Sequence, residues 1–151
     1  MQVKDIMSRN VITVYAQMDI RSLAKLLMEK NVSGAPVVDE NGRYCGLVLE
    51  ESLIFQDKNV HLPTFLALSV GFLPWGTDRM EDEIRRIAGT RVAEIMEDNA
   101  PAVAPDMEVE DLATLMVEKN RHFFAVVEND TIVGVVTKRD IVRAIAEGKI
   151  H

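Results

Sequence analysis

The sequence predicts an α/β fold made of two repeats that bury one shared face. Residues 3–41 match residues 92–130 at a constant offset of 89 without a gap, and 14 of these 39 positions are identical. Each copy also alternates between the hydrophobic spacing of strands and that of helices. Because two copies are too few for an open solenoid, we expect a closed pair, with function at the seam and where the copies differ.

The first copy begins with a helical lead-in over Val3–Met7 and a short strand over Val11–Val14. Apolar residues spaced i, i+3, i+4, i+7 then predict a helix that ends near Asn31. Two strands follow, Ala35–Val38 and Tyr44–Leu49, and the Asn-Gly pair between them is a strong hairpin signal. A second helix is expected after the hairpin.

The second copy repeats this order of strand, helix, strand, strand, helix after its own lead-in. Its predicted elements are the lead-in Val92–Met96, a strand over Ala102–Ala104, a helix to Asn120, strands His122–Val127 and Ile132–Thr137, and a helix over Lys138–Glu147. We therefore divide the chain into repeat 1 at 1–55, a linker at 56–91 and repeat 2 at 92–151. The linker is apolar and then helical in pattern, unlike a flexible spacer, so we expect it to pack on the pair or a second subunit rather than dock a partner.

Composition excludes several classes of protein. A net charge of −7 over 151 residues argues against nucleic-acid binding, which needs a basic face. No apolar segment is long enough to predict a membrane span. A single cysteine and the lack of a signal peptide predict a cytoplasmic protein. Three scattered histidines and no Gly-rich phosphate loop predict that it is not an enzyme and holds no metal.

Thr137 and Asp140 form the strongest candidate site. A threonine between a strand and a helix can offer its hydroxyl to a phosphate, and a carboxylate three residues later can accept bonds from both ribose hydroxyls. The neighbouring Lys138, Arg139, Arg121 and His122 add positive charge that suits a polyphosphate. The same Thr-x-x-Asp spacing is also a helix capping box, so the sequence leaves a purely structural role open.

Three kinds of stretch stand out along the chain: the opening Val-x-(Asp/Glu)-Ile-Met of each copy, Val32–Asp39, and Gly134–Asp140. Together they resemble the cystathionine-β-synthase-type (CBS) domain, and their doubled order resembles a tandem CBS pair. The resemblance implies two repeats related by a pseudo-two-fold axis, with their sheets packed together. It also implies up to two clefts for adenine nucleotides or adenosyl ligands, and dimerisation of pairs.

The resemblance places the base near Ile95, Met96, Pro101 and Ala102, and near the strand that starts at Arg121, His122 and Phe123. Phe123 is a candidate for stacking on the base, with a core position as the alternative.

Where the second copy has Thr137 and Asp140, the first has Leu49 and Ser52, with Glu50-Glu51 between them. We expect its cleft to bind nucleotides weakly or not at all, because two carboxylates repel phosphate at short range.

The leading hypothesis is a regulatory sensor that changes conformation on binding AMP, ADP, ATP or S-adenosylmethionine. It needs no cofactor, forms a homodimer and transmits the change to a regulated protein partner. The alternative is a ligand-independent dimerisation scaffold, in which Thr137 and Asp140 only cap a helix.

Overall fold

The computed structural model describes residues 1–54 and 90–150. The linker prediction falls almost entirely outside these residues. The described part of the chain contains six helices and six strands, and it confirms the predicted α/β class with two copies of the same order.

The elements of repeat 1 are α1 (Val3–Ile6), β1 (Val14–Tyr15), α2 (Ile20–Lys30), β2 (Gly34–Val38), β3 (Tyr44–Leu49) and α3 (Glu50–Ile54). Those of repeat 2 are α4 (Val92–Ile95), β4 (Glu97–Asp98), α5 (Val109–Lys119), β5 (Phe123–Glu128), β6 (Thr131–Thr137) and α6 (Lys138–Ala146). The predicted first strand of each repeat is shorter than expected: β1 has two residues, and its counterpart is a single bridge between Val103 and Val126. Strand β4 was not predicted.

Both hairpins form as the sequence predicts. Strands β2 and β3 pair antiparallel, as do β5 and β6, and each pair carries a bulge at equivalent positions, Val37/Val38 and Val126/Val127. In the first turn the Asp39 carboxylate accepts hydrogen bonds from the backbone N–H groups of Asn41 and Arg43 at 2.8 and 3.0 Å. Gly42 adopts φ +78° there, a conformation that glycine takes without strain.

The outer strand of each sheet comes from the other repeat. Strand β4 pairs antiparallel with β3, with Glu97 opposite Leu47. At the equivalent place on the other side, Ser8 bridges to Val135 of β6. The residues that follow each lead-in helix therefore extend the sheet of the opposite repeat.

The lead-in helices cross in the same way. Val3 and Ile6 of α1 belong to the hydrophobic core of repeat 2, whereas Val92 of α4 is fully buried in the core of repeat 1. Backbone bonds fix both crossings: Val3 N–H donates to Met107 O and Val92 N–H to Met18 O, each at 2.8 Å. Each repeat thus completes its core with a helix of the other.

Two equivalent glycines let the crossing chain approach the sheet. A Cβ atom at Gly46 would lie 2.7 Å from Glu97 O, and one at Gly134 would lie 2.7 Å from Met7 Sδ and 2.9 Å from Ser8 O. These distances are shorter than real Cβ contacts, so a side chain at either position would force the crossing backbone away.

Left-handed asparagines end the two long helices. Asn31 after α2 and Asn120 after α5 have φ of 53° and 51°, and their N–H groups donate to carbonyls of the last turn. Asparagine tolerates this conformation better than other residues with a side chain. The chain turns sharply at both points, so the loops that follow reach the seam between the repeats.

Candidate functional site

The first cleft lies at the seam and has a volume of about 410 Å³. Repeat 2 supplies Phe123, Val135, Thr137, Arg139, Asp140 and Arg143 to its wall. The N-terminal crossing segment and the rest of repeat 1 supply Ser8, Asn10, Ile12, Asn31, Val32, Ser33, Gly34, Pro36 and Glu50. A ligand in this cleft would therefore touch both repeats.

Asp140 is a buried carboxylate at the wall of the first cleft, with 6% of its surface exposed. Its Oδ2 accepts hydrogen bonds from the Thr137 N–H at 2.7 Å and the Thr137 hydroxyl at 3.3 Å. Its Oδ1 accepts from Arg143 Nη1 at 3.0 Å. The capping interaction considered from the sequence is therefore present, and the ion pair with Arg143 is added to it.

The hydrogen-bond capacity of Asp140 is not used up by these partners. An ionised carboxylate has about four acceptor positions, and three are occupied. The Arg143 side chain is 57% exposed, so ligand hydroxyls that reach Oδ1 can take its place as hydrogen-bond donors to this buried carboxylate. A cis-diol needs two acceptors on one carboxylate, and Asp140 can supply them while still capping α6.

The second cleft, of about 580 Å³, is the pseudo-symmetric counterpart of the first. Repeat 1 supplies Ser33, Leu49 and Glu51, and repeat 2 supplies Glu97, Lys119, Asn120, Arg121, His122, Phe123, Thr137, Lys138 and Arg139. Leu49 and Glu51 stand where Thr137 and Arg139 stand in the first cleft. This is the cleft that we expected to be weak or empty.

The structure changes the charge argument made from the sequence. Glu50, which we assigned to the cleft of repeat 1, lines the first cleft, and its counterpart Lys138 lines the second. Glu50 and Lys138 are the first residues of the helices that follow the two hairpins, and each lines the cleft that the sequence analysis assigned to the other repeat. The second cleft thus contains one of the two expected carboxylates and gains a lysine.

The predicted site residues fall into two groups. Thr137, Arg139 and Phe123 line both clefts, and Asp140 lines the first. Of the two clefts, only the second is lined by Arg121, His122 and Lys138. The predicted residues therefore border two adjoining cavities, and their contacts with a ligand remain a prediction.

The residues expected around the base do not line the first cleft. Ile95 and Met96 pack on the core of repeat 1, and Pro101 and Ala102 are exposed on the surface. The crossing of the lead-in segments is the reason, because it brings the equivalent residues of the other copy to this cleft. Ile12, the equivalent of Pro101, lines the cleft together with Ser8 and Asn10 of the same segment, and the sequence analysis missed all three. The constant repeat offset is the signal that identifies them once the crossing is known.

Phe123 occupies a core position between the clefts. It is 7% exposed and packs with Leu47 and Ala100 in a small cluster at the seam. The ring thus separates the two cavities as a shared wall. The structure thus shows a core position for Phe123, and stacking on a base remains a prediction.

A polar network borders the second cleft. Arg121 forms an ion pair with Glu97, and the hydrogen bond to that carboxylate raises the pKa of the guanidinium. Nearby, the Tyr44 hydroxyl donates to Ala100 O at 2.8 Å. Burial, followed by the charge of Glu97, raises the pKa of Tyr44 to about 12. The tyrosine therefore stays protonated at neutral pH and ties β3 to the segment after β4.

Within residues 1–54 and 90–150, no helix has the length and apolar character to cross a bilayer. No cluster of three or more His, Cys, Asp or Glu side chains there has the arrangement of a metal site.

Comparison with known proteins connects this geometry to one family. The family model of the CBS domain matches residues 3–58 and again residues 92–147. The uncharacterized protein MJ1426 of Methanocaldococcus jannaschii is 29% identical over 156 residues, which cover 96% of this chain and 91% of that protein.

Two solved structures extend the comparison to ligands. The CBS domain pair of protein MJ0100, in complex with 5′-methylthioadenosine and S-adenosyl-L-methionine, has a TM-score of 0.71 and 26% identity, with 99% of this chain and 98% of that chain covered. CBSX2 of Arabidopsis thaliana, in complex with AMP, has a TM-score of 0.72 and 25% identity, with coverage of 99% and 98%.

Proposed function

The chain belongs to the CBS domain family, and we propose that it is a non-catalytic regulatory module that binds an adenosine-containing ligand in the first cleft. In this proposal Asp140 binds the ribose hydroxyls and Thr137 binds a phosphate. AMP, ADP, ATP and S-adenosylmethionine are the ligands considered. The proposal is supported by the cleft itself and by the ligands of related structures.

The observation that carries the proposal is the buried carboxylate of Asp140 at the wall of a cavity that has the size of a small-molecule site. Charged groups are seldom buried unless they are paired. Here the partner of Oδ1 is an exposed arginine that a ligand can replace. A carboxylate needed only as a cap can be exposed, as Asp5 is at the start of α1.

Related structures support the class of ligand. MJ0100 is solved with two adenosyl compounds and CBSX2 with AMP, and both share the fold over nearly the whole of this chain. An adenine base joined to a ribose ring with both ring hydroxyls is common to all three ligands. We therefore extend this adenosyl group, rather than one particular nucleotide, to this chain.

The position of the cleft supports regulation. Both repeats line it, so a ligand that contacts both favours the relative orientation in which its contacts are best. We propose that a protein partner recognises that orientation. The coupling must be reciprocal: the partner should raise or lower ligand affinity by the same factor as the ligand changes partner affinity.

We also propose that the pair forms a homodimer through its helices. Met28 on α2 and Val117 on α5 occupy equivalent positions and are 78% and 83% exposed, and Val142 and Ile145 on α6 are also exposed. Apolar side chains at symmetric exposed positions are typical of an interface. Light scattering should give twice the chain mass at micromolar concentration, and a monomer there would contradict this proposal.

A ligand-independent scaffold is the second candidate function, and one observation favours it. Asp140 Oδ2 accepts hydrogen bonds from the Thr137 N–H and hydroxyl, and these bonds within the chain suffice to explain both residues as a cap of helix α6. In this alternative the two residues contribute stability alone.

The decisive experiment compares two capping carboxylates. Asp140→Asn removes the charge at the first cleft, and Asp5→Asn does the same at α1, where Gln2 N–H donates to Asp5 Oδ2 at 2.8 Å. Isothermal titration with AMP, ADP, ATP and S-adenosylmethionine should show at least tenfold weaker binding for Asp140→Asn. That loss corresponds to charge-assisted hydrogen bonds of about 1.5–3 kcal/mol. The Asp5→Asn control should bind as the wild type does.

Thermal unfolding gives an independent measurement. A ligand at one hundred times its dissociation constant should stabilise the wild type by about 2.7 kcal/mol. If none of the four ligands shifts the transition, or if both variants bind as the wild type does, the scaffold is the better account.

A further inference from the structure

The two clefts adjoin one another. They share four lining residues, Ser33, Phe123, Thr137 and Arg139. Phe123 is nearly buried, whereas the Arg139 side chain is exposed and borders both cavities. A ligand group that reaches Thr137 from the first cleft is therefore at the entrance to the second.

The charges of the two clefts differ. The first has two arginines, Arg139 and Arg143, against two carboxylates. The second has four lysine and arginine side chains against Glu51 and Glu97, an excess of two positive charges in a chain whose net charge is −7. Such a local excess attracts anions despite the acidic surroundings.

Part of this positive charge is available to a ligand. Arg121 is already paired with Glu97. Within residues 1–54 and 90–150, no ion pair involves Lys119, Lys138 or Arg139. These three side chains are exposed and come from the end of α5 and the start of α6.

The second cleft lacks the groups that would bind a ribose there. At the position of Asp140, repeat 1 has Ser52, whose hydroxyl accepts a hydrogen bond from Leu49 N–H at 3.2 Å. Leu49 has no hydroxyl to offer to a phosphate. The second cleft is therefore better suited to a bare anion than to a second nucleoside.

We propose that the phosphate chain of a nucleoside di- or triphosphate bound in the first cleft passes Thr137 and Arg139 and ends in the second cleft, where Lys119 and Lys138 bind its terminal phosphates. This inference rests on the proposed function, since it places the adenosine at Asp140. It adds a selectivity: the chain distinguishes adenine nucleotides by the length of their phosphate chain. Lysines bind phosphate as point charges, so each added phosphate strengthens binding.

The test measures dissociation constants for adenosine, AMP, ADP and ATP at one ionic strength with EDTA present. The variant Lys119→Gln/Lys138→Gln removes two positive charges from the second cleft. Its matched control is Lys25→Gln/Lys30→Gln, because Lys30 is the repeat 1 equivalent of Lys119 and neither control lysine lines a described cleft. Both double variants have the same net charge.

We expect the wild type to bind ATP about tenfold more tightly than AMP or better. In Lys119→Gln/Lys138→Gln this ratio should fall to within about twofold, while the affinity for adenosine stays unchanged. The control should keep the ratio of the wild type. Equal affinity of the wild type for AMP and ATP, or an unchanged ratio in the cleft variant, would overturn the inference while leaving the proposed function intact. Failure to bind adenosine, all three nucleotides and S-adenosylmethionine would overturn both.

Discussion

Gly134→Ala tests how closely the segment after helix α1 approaches strand β6, and what that approach contributes to stability. The new Cβ would lie 2.9 Å from the carbonyl oxygen of Ser8, which is itself held by Val135 N–H at 3.0 Å, and 2.7 Å from Met7 Sδ. The methionine can rotate, but the backbone oxygen must move by about half an ångström or more to reach ordinary contact. We expect a loss of about 1–3 kcal/mol in the free energy of unfolding.

The assay combines thermal unfolding with AMP titration, and Gly46→Ala is the matched control. In a chain of this size each kcal/mol lowers the melting temperature by about 2–4 °C. Gly46→Ala should cost a similar amount, because its Cβ would meet Glu97 O at 2.7 Å. Only Gly134→Ala displaces Ser8, a residue of the first cleft, so only that variant should also weaken AMP binding.

Two results would refute this reasoning. Unchanged melting temperatures in both variants would show that the crossing segments do not approach the sheets as closely as described. Equal losses of AMP affinity would show that the two clefts are not distinct in the way that their lining residues indicate.

Two further predictions concern single side chains at the seam. Arg143→Gln removes the partner of Asp140 Oδ1 and should strengthen adenosine binding, measured by titration, since the ribose no longer displaces an arginine; weaker binding would mean that Arg143 itself contacts the ligand. Tyr44 has a folded-state pKa of about 12 against 10 in the unfolded chain, so its contribution to stability is complete below pH 10 and is lost as pH rises towards 12. In denaturant unfolding at several pH values, the free energy of unfolding should fall less steeply between pH 10 and 12 for Tyr44→Phe than for the wild type. Parallel plots of this free energy against pH would exclude the tyrosine as the cause.

Helices, strands and turns could be predicted from the sequence wherever the residues that determine them lie close together within one copy. The first hairpin follows from two apolar stretches on either side of Asn41-Gly42, and the predicted strand Tyr44–Leu49 is β3 as found. The helices follow from the spacing of residues such as Leu23 and Leu112, both fully buried. These features depend on neighbouring residues alone.

The crossing could not be predicted, because it changes which copy supplies a residue without changing the kind of residue. Val3 and Val92 are identical and equally buried, so either helix satisfies either core. For the same reason the sequence analysis placed Pro101 near the base, whereas its equivalent Ile12 lines the first cleft. It also assigned Glu50 to the cleft of repeat 1, whereas Glu50 lines the first cleft. In a chain of two similar copies, the sequence indicates which kinds of residue form a site more readily than it indicates which copy supplies each of them.

The exchange of lead-in helices also makes the chain a tethered equivalent of a domain-swapped dimer, in which each half lends a piece of itself to the other. Neither half has a complete core alone, since the core of repeat 1 needs Val92 and that of repeat 2 needs Val3 and Ile6. The two halves are thus expected to melt in one transition. Anyone who transplants a repeat into another protein, or shuffles repeats by recombination, must move the helix that precedes the opposite repeat along with it.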